Sequence, residues 1–193
     1  IIVGIHGMGS HSEYYVQVAD QVIEQGVSVF ALDLRHHGHS TGRKGDLESF
    51  ELIEDQVAQF ITSLNQEHPT VPIFLMGISM GGIISINLSV KHPDLIDGLI
   101  LMAPGVKSDF KLSFTDILKL PLLALVYLVR RGKPLIKIED RSERATRNPE
   151  RIEYQEHDEL RLRKVSPRYL IGLLKWKKKA FQNAENLIHP LLI

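Results

Sequence analysis

The chain has 193 residues, 44% of them hydrophobic and none of them cysteine, with 23 Lys+Arg balancing 23 Asp+Glu. That apolar content at this length builds one sizeable core, with room for an inserted subdomain, and excludes a disordered polypeptide; the missing thiols exclude a disulfide framework and thiolate metal sites. The charge is unevenly placed: residues 1–104 hold 4 basic against 12 acidic side chains (net −8) and residues 105–193 hold 19 against 11 (net +8), which argues against a nucleic-acid-binding protein and for a basic segment that docks on the acidic half or faces an anionic surface.

In chain order, Ile1–Ile5 is a continuous apolar run of the kind found in parallel strands buried on both faces. It leads into His6-Gly7-Met8-Gly9-Ser10-His11-Ser12, a glycine-rich loop able to converge backbone N–H groups on a developing oxyanion. Glu13–Gln25, with Tyr15, Val18, Ala19, Val22 and Ile23 on one face and Gly26 as a stop, reads as an amphipathic helix, and Val27–Leu32 as the next strand. The loop from Asp33 to Gly45 carries His36, His37 and His39, which invite a metal reading. A strand-end loop aims three such rings at one ion poorly, so a rigid turn under the floor of a site is the expectation, with no metal centre. Glu48–Gln66 is a strongly amphipathic helix ended by His68-Pro69, and Val71–Met76 is the strand after it.

That strand runs into Gly77-Ile78-Ser79-Met80-Gly81-Gly82. A Gly-x-Ser-x-Gly run between a strand and a helix is the pattern of a nucleophile elbow, whose strained turn pushes a serine hydroxyl out above a sheet; the bland alternative is a glycine-rich turn with a capping serine. Ser79–Lys91 reads as a helix, Leu95–Met102 as a strand. Strand and helix alternate throughout, so the fold class is α/β with a mostly parallel sheet, flanking helices and right-handed crossovers.

The alternation stops near residue 105. Residues 105–187 show no convincing strand and read as an α-helical cap inserted after a sheet strand, which divides the chain into a core at 1–104, a cap at 105–187 and the start of a further core strand at 188–193. Within the cap, Leu120–Val129 is apolar all round but too short at ten residues to span a bilayer; it reads as buried, or as lining an acyl channel, rather than inserted in a membrane. Tyr169, Leu170, Leu173, Leu174 and Phe181 form a second apolar stripe, opposite Lys175, Lys178 and Lys179. There is no repeat and no phosphate-binding P-loop, and Gly7-Met8-Gly9 lacks the third spaced glycine of a dinucleotide site. The ends, an apolar strand without an initiator Met and His189-Pro190-Leu191-Leu192-Ile193, read as cut, leaving an incomplete sheet.

Three motifs in order, the His6–Ser12 loop, the Asp33–Gly42 loop and the Gly77–Gly82 elbow, together resemble the α/β-hydrolase superfamily, specifically its monoacylglycerol lipase and lysophospholipase-like branch. Ser166-Pro167-Arg168-Tyr169 and the final His189–Ile193 run are similar to that branch's return from its cap to the sheet. The resemblance implies acyl transfer to water: Ser79 as nucleophile, the backbone N–H groups of Met8 and Met80 as the oxyanion hole, and His6, Gly7, Gly77 and Gly81 as support for loop and elbow. It implies no cofactor, a small-molecule or lipid ester as substrate, contact of the cap's basic face with a membrane surface, and a cytoplasmic or peripheral-membrane location. The triad Asp and His are expected beyond Ile193, since neither His92, His157 nor His189 is a natural base and Asp109 is a poor candidate acid. These residues alone are therefore expected to hydrolyse esters poorly. A capped aminopeptidase-like hydrolase and a non-catalytic interaction module are the competing readings.

Overall fold

A computed structural model describes residues 1–106, 129–138 and 146–193. Among them are seven strands: β1 (Ile2–Ile5), β2 (Val29–Leu32), β3 (Phe74–Ile78), β4 (Gly98–Met102), β5 (Ile136–Lys137), β6 (Lys164–Val165) and β7 (Leu191–Leu192). Five make one parallel sheet in the order β2-β1-β3-β4-β7, with Ile5 opposite both Leu32 and Gly77, and Gly77 opposite Leu101. Five helices are described: α1 (Val16–Val22), α2 (Phe50–Glu67), α3 (Met80–Lys91), α4 (Pro149–His157) and α5 (Pro167–Asn183).

The central strands β1, β3 and β4 are apolar and largely buried because both faces of the sheet are covered there. On one face, α2 lays Phe50, Ile53, Val57, Ile61 and Leu64 against the sheet, each no more than 4% exposed. Each such side chain contributes about 1.5–3 kcal/mol by leaving water. Ser49 caps α2, its hydroxyl accepting from the Leu52 N–H, so the helix begins where the sequence supplies a capping oxygen. α3 is buried almost all round, with Ile83, Ile84, Ile86 and Leu88 inside, as a helix wedged between sheet, α2 and α5 must be. Tyr15 lies flat on β1, where a side-chain carbon on Gly4 would come within 2.6 Å of its ring.

Several boundaries differ from the sequence expectation. The Glu13–Gln25 helix is a 3-10 turn (Ser12–Tyr15), α1 and a second 3-10 turn (Ile23–Gln25), closed by Gly26 at φ 77°; Ile23 is 65% exposed rather than facing inward. The 105–187 segment is not free of strands: β5 and β6 pair antiparallel, Ile136 opposite Val165 and Lys137 opposite Lys164. Two-residue strands leave no alternating run to read. The stripe of α5 is also rotated. Its buried side chains are Tyr169, Trp176 and Ala180 with Leu173 partly buried, while Leu174 and Phe181 are exposed. Trp176 stacks on Phe50 at 6.1 Å between ring centroids and takes the Lys179 ammonium over its ring at 4.3 Å. The apolar run 120–129 lies outside the described residues apart from Val129.

The chain steps from β1 outward to β2, then back across β1 to β3 and on to β4. At the carboxyl ends of β1 and β3 the direction of winding reverses, so the loops leaving these two strands diverge and open a crevice between them. The His6–Ser12 loop and Ser79 both sit at that crevice.

Candidate active site

Backbone strain collects along this edge. Outside glycine, positive φ occurs only at His36 (67°), Ser79 (53°) and Ala103 (43°) among the described residues, each just past the end of a sheet strand. Ser79 combines φ 53° with ψ −110°, a conformation that persists only where its surroundings hold it. They do so from three sides: its N–H donates to the Met102 carbonyl (3.1 Å), and its own carbonyl accepts from Gly82 (3.1 Å) and from Gly105 (3.0 Å). The side chain is left exposed. Gly77 and Gly81 have no room for anything larger. A carbon on Gly81 would stand 1.9 Å from the Ile5 carbonyl oxygen, and one on Gly77 2.6 Å from the Gly81 oxygen. Glycine at both positions lets α3 begin directly against β1.

Gly7 brings the other loop to the serine, since a side-chain carbon built on it would lie 3.5 Å from Ser79 Cβ. The loop turns tightly there, Ser10 N–H donating to the Gly7 carbonyl at 3.2 Å. Among the described residues neither the Met8 nor the Met80 N–H meets an acceptor, and Met80 opens α3, whose first N–H groups have no partner within the helix. Two free N–H groups beside one exposed hydroxyl form an arrangement able to receive a carbonyl oxygen and stabilise it as charge develops. The Met80 side chain is buried and plays no part in that arrangement.

His6 is a strut. Its Nδ1 lies 2.8 Å from the Gly7 carbonyl, and Nε2 accepts from the Leu34 N–H at 3.1 Å, which fixes the neutral Nδ1–H form. Burial, and then the neighbouring His37 ring, push its pKa down to about 3, so it holds the end of β1 to the loop after β2 and does not act as a base near neutral pH.

The Asp33–Gly45 loop is built the same way. The Asp33 carboxylate accepts from Ser12 N–H (2.8 Å) and His39 N–H (2.6 Å), tying the two loops together. Its partial burial would raise its pKa, but these N–H bonds outweigh it and hold the group below the usual carboxylate range. Lys44 spends its ammonium on the carbonyls of His37 (3.0 Å), Gly38 and Ser40 (2.7 Å). His36 bonds the Asp46 carbonyl, and His37 reaches the Arg35 carbonyl through Nδ1 (2.9 Å) and the Tyr169 hydroxyl through Nε2 (2.9 Å). His39 points outward. The three rings thus go three ways, and among the described residues they form no metal-binding group.

Residues beyond 105 are fastened to this platform in two places that local sequence does not announce. Asp46, 2% exposed, accepts from the Ser166 hydroxyl (2.7 Å) and from Arg168 through Nε (2.7 Å) and a second guanidinium nitrogen; despite burial, which opposes ionisation, the Arg168 and Ser166 bonds keep its pKa low. Asp158, following α4, accepts from His11 Nε2 (2.8 Å) and the Tyr14 hydroxyl (3.0 Å). Tyr169, fully buried, brings its hydroxyl within 3.0 Å of Met80 Sδ as well as to His37. These contacts join residues 80 to 150 positions apart, and only the Ser166–Tyr169 run carried a signal, through its family likeness.

No imidazole bonds the Ser79 hydroxyl among the described residues. His92 ends α3, His157 is exposed with Nδ1 on the Glu153 carbonyl (2.9 Å), and His189 Nε2 lies 2.8 Å from the Pro93 carbonyl. Asp109 falls outside the described residues.

The whole chain, residues 1–193, matches the Hydrolase_4 family, described as serine aminopeptidase, S33. It is 38% identical over 104 residues to the monoglyceride lipase homolog of Monkeypox virus, an alignment that takes in 54% of this chain and 38% of the viral protein. It is 30% identical over 197 residues to phospholipase YtpA of Bacillus subtilis, covering 100% of this chain and 73% of that protein. Among solved structures, the monoacylglycerol lipase of Paleococcus ferrophilus superposes with a TM-score of 0.82 at 25% identity, over 98% of this chain and 70% of that one. The chain therefore spans well under half of the viral relative and about 70% of the archaeal one.

Proposed function

Because the chain belongs to the Hydrolase_4 family and to its monoglyceride-lipase-like serine hydrolases, we propose that it carries the nucleophile and oxyanion hole of an enzyme that hydrolyses carboxylic esters of monoacyl lipids, of the monoacylglycerol or lysophospholipid type. The observation that carries this reading is Ser79, exposed at φ 53° in a turn walled by Gly77, Gly81 and the Gly7 loop. In it, the Ser79 oxygen attacks the ester carbonyl while the N–H groups of Met8 and Met80 receive the oxyanion, each such donor supplying about 3–4 kcal/mol in the transition state. A general-base imidazole oriented by a carboxylate takes the serine proton, gives it to the departing alcohol and then activates water against the acyl-enzyme. Residues 105–187 act as a cap over the acyl site, its basic face turned to a lipid surface; no helix among the described residues is long and apolar enough to cross a membrane.

The test is hydrolysis of a monoacylglycerol by the full-length protein, with Ser79→Ala as control. Turnover lost in the variant while its melting temperature is kept supports the reading, and turnover that survives it overturns it. The family's description also favours an amide substrate with a free amino terminus, so an amino-terminal peptide amide assayed beside the lipid ester decides between the two.

A further inference from the structure

We infer that Asp158 is a positioning residue for the oxyanion hole: through His11 it holds the loop that carries the Met8 N–H, so that chain beyond residue 105 helps to aim one of the two donors. This rests on the serine-esterase reading above.

The two donors are not held alike. Met80 opens α3, a helix buried almost all round, and its N–H is fixed with the helix. Met8 lies in the loop between β1 and the Ser12–Tyr15 turn, outside any strand or helix, so its N–H points where the tethers of the loop aim it. At the near end the Gly7 carbonyl takes the His6 Nδ1–H (2.8 Å) and the Ser10 N–H (3.2 Å), and Gly7 itself lies against Ser79. At the far end Ser12 N–H donates to Asp33 (2.8 Å), and the His11 ring reaches Asp158 through Nε2 (2.8 Å). Of these tethers the Asp158 bond is the one that comes from beyond residue 105.

The His11 ring has no second anchor. It is 0% exposed, its Nδ1 meets no partner among the described residues, and the bond to Asp158 is the ring's one hydrogen bond. His6 and His37 on the same platform each use both ring nitrogens. Asp158, by contrast, is held firmly: its side chain is 4% exposed, Oδ2 also accepts from the Tyr14 hydroxyl (3.0 Å) and Oδ1 from the Leu160 N–H (2.9 Å). Burial opposes its ionisation, but the bonds from His11 and Tyr14 outweigh it and keep the group below the usual carboxylate range, so it remains an acceptor. The chain after it follows the loop, and a side-chain carbon on Gly9 would stand 3.7 Å from the Leu162 carbonyl oxygen. When residues 158–162 shift, His11 must follow them or leave a buried donor unpaired. Small shifts count, because an oxyanion donor works only when it stands about 2.7–3.1 Å from the oxygen it stabilises.

The experiment compares wild type, Asp158→Ala and Asp158→Asn in the full-length protein, reading kcat and KM on a monoacylglycerol and the inhibition constant of a trifluoromethyl ketone of the same acyl chain. The Ser79 oxygen bonds to the ketone carbon, the carbonyl electron pair moves to oxygen, and that alkoxide takes the place of the transition-state oxyanion. Asp158→Ala is expected to lower kcat about tenfold or more with KM within about twofold, and to weaken the ketone by the same factor as kcat/KM. A fault of folding would lower the amount of active enzyme and leave the ketone's affinity for the remainder unchanged. Asp158→Asn keeps an oxygen for the His11 N–H while losing the acceptor for Leu160, and is expected to recover part of both losses. Amide exchange over residues 7–12 is expected to be fastest in Asp158→Ala, a readout that needs no activity. The assignment is overturned if KM alone rises, if the ketone binds Asp158→Ala as tightly as wild type, if Asp158→Asn is no better than Asp158→Ala, or if exchange over residues 7–12 is unchanged. A wild-type protein that hydrolyses no ester sinks the esterase reading instead, and the exchange result still decides whether Asp158 braces the loop.

Discussion

At the scale of single residues, the site is held by main-chain geometry more than by side-chain chemistry. Gly81→Ala puts a carbon 1.9 Å from the Ile5 oxygen, and since both are backbone, neither can swing aside. The expected cost is about 3 kcal/mol or more, read as a drop in the urea midpoint together with loss of any Ser79 reactivity. The buried histidines predict an acid dependence. His6 and His37 are pushed down to about 3 and about 4 from 6.5, in both cases chiefly by burial, so between those values the unfolded chain binds more protons than the folded one. Stability is therefore expected to be full above pH 6.5 and to fall as pH drops from 6.5 towards 4. The carboxyls of Asp33, Asp46 and Asp158 have lowered folded values, so their contribution is present above 3.8 and is lost below it. Urea midpoints at pH 7.5, 5.5 and 4 check the sign; a flat profile from 7.5 to 5 would show that these rings are not held neutral.

Among the elements, α5 packs the later residues against α3 and α2. Trp176→Ala removes a ring that is 5% exposed and stacked on Phe50, with an expected loss of about 3–5 kcal/mol in chemical unfolding. Removing the carboxylate at Asp46 takes a buried acceptor from the Ser166 hydroxyl and from Arg168 at once, and Asp46→Ala is expected to cost about 2–3 kcal/mol. The sheet strands, α2 and the elbow were legible because apolar run, helical period and Gly-x-Ser-x-Gly spacing are local properties. The facing of α5 was not. Leu170, Leu174 and Phe181 make as good a stripe on paper as Tyr169, Trp176 and Ala180, and only contact with Phe50 and Asn87, whose amide donates to the Trp176 carbonyl at 3.1 Å, decides between them. The tight Gly77–Gly81 turn was readable in the same way, whereas Asp46 and Asp158 act through partners more than 100 residues away and have no local mark.

For the whole molecule, the opposite charges of its two halves meet at a few defined places rather than as a diffuse attraction. Asp46 of the acidic half takes Arg168 of the basic half with its carboxylate 3% exposed, and Asp158 hydrogen-bonds the buried His11 ring. Such sheltered pairs are weakly screened. Raising salt from 0.05 to 0.5 M is therefore expected to leave the thermal midpoint nearly unchanged, and a large fall would mean that exposed charges carry the association. Asp158→Asn is expected to speed amide hydrogen exchange in residues 7–12 and leave α2 untouched, because the pair it weakens ends on that loop.

Lys44 gives its three donors to three carbonyls of a single loop, and this has a chemical consequence. An amine-reactive reagent needs a lone pair on nitrogen, and here the ammonium must let go of the loop before it can offer one. Although Lys44 stands at the surface, it should acylate late, behind ordinary exposed lysines. Once acylated it cannot refasten the loop, so the rate of its modification becomes a clock for how often the Asp33–Gly45 loop opens.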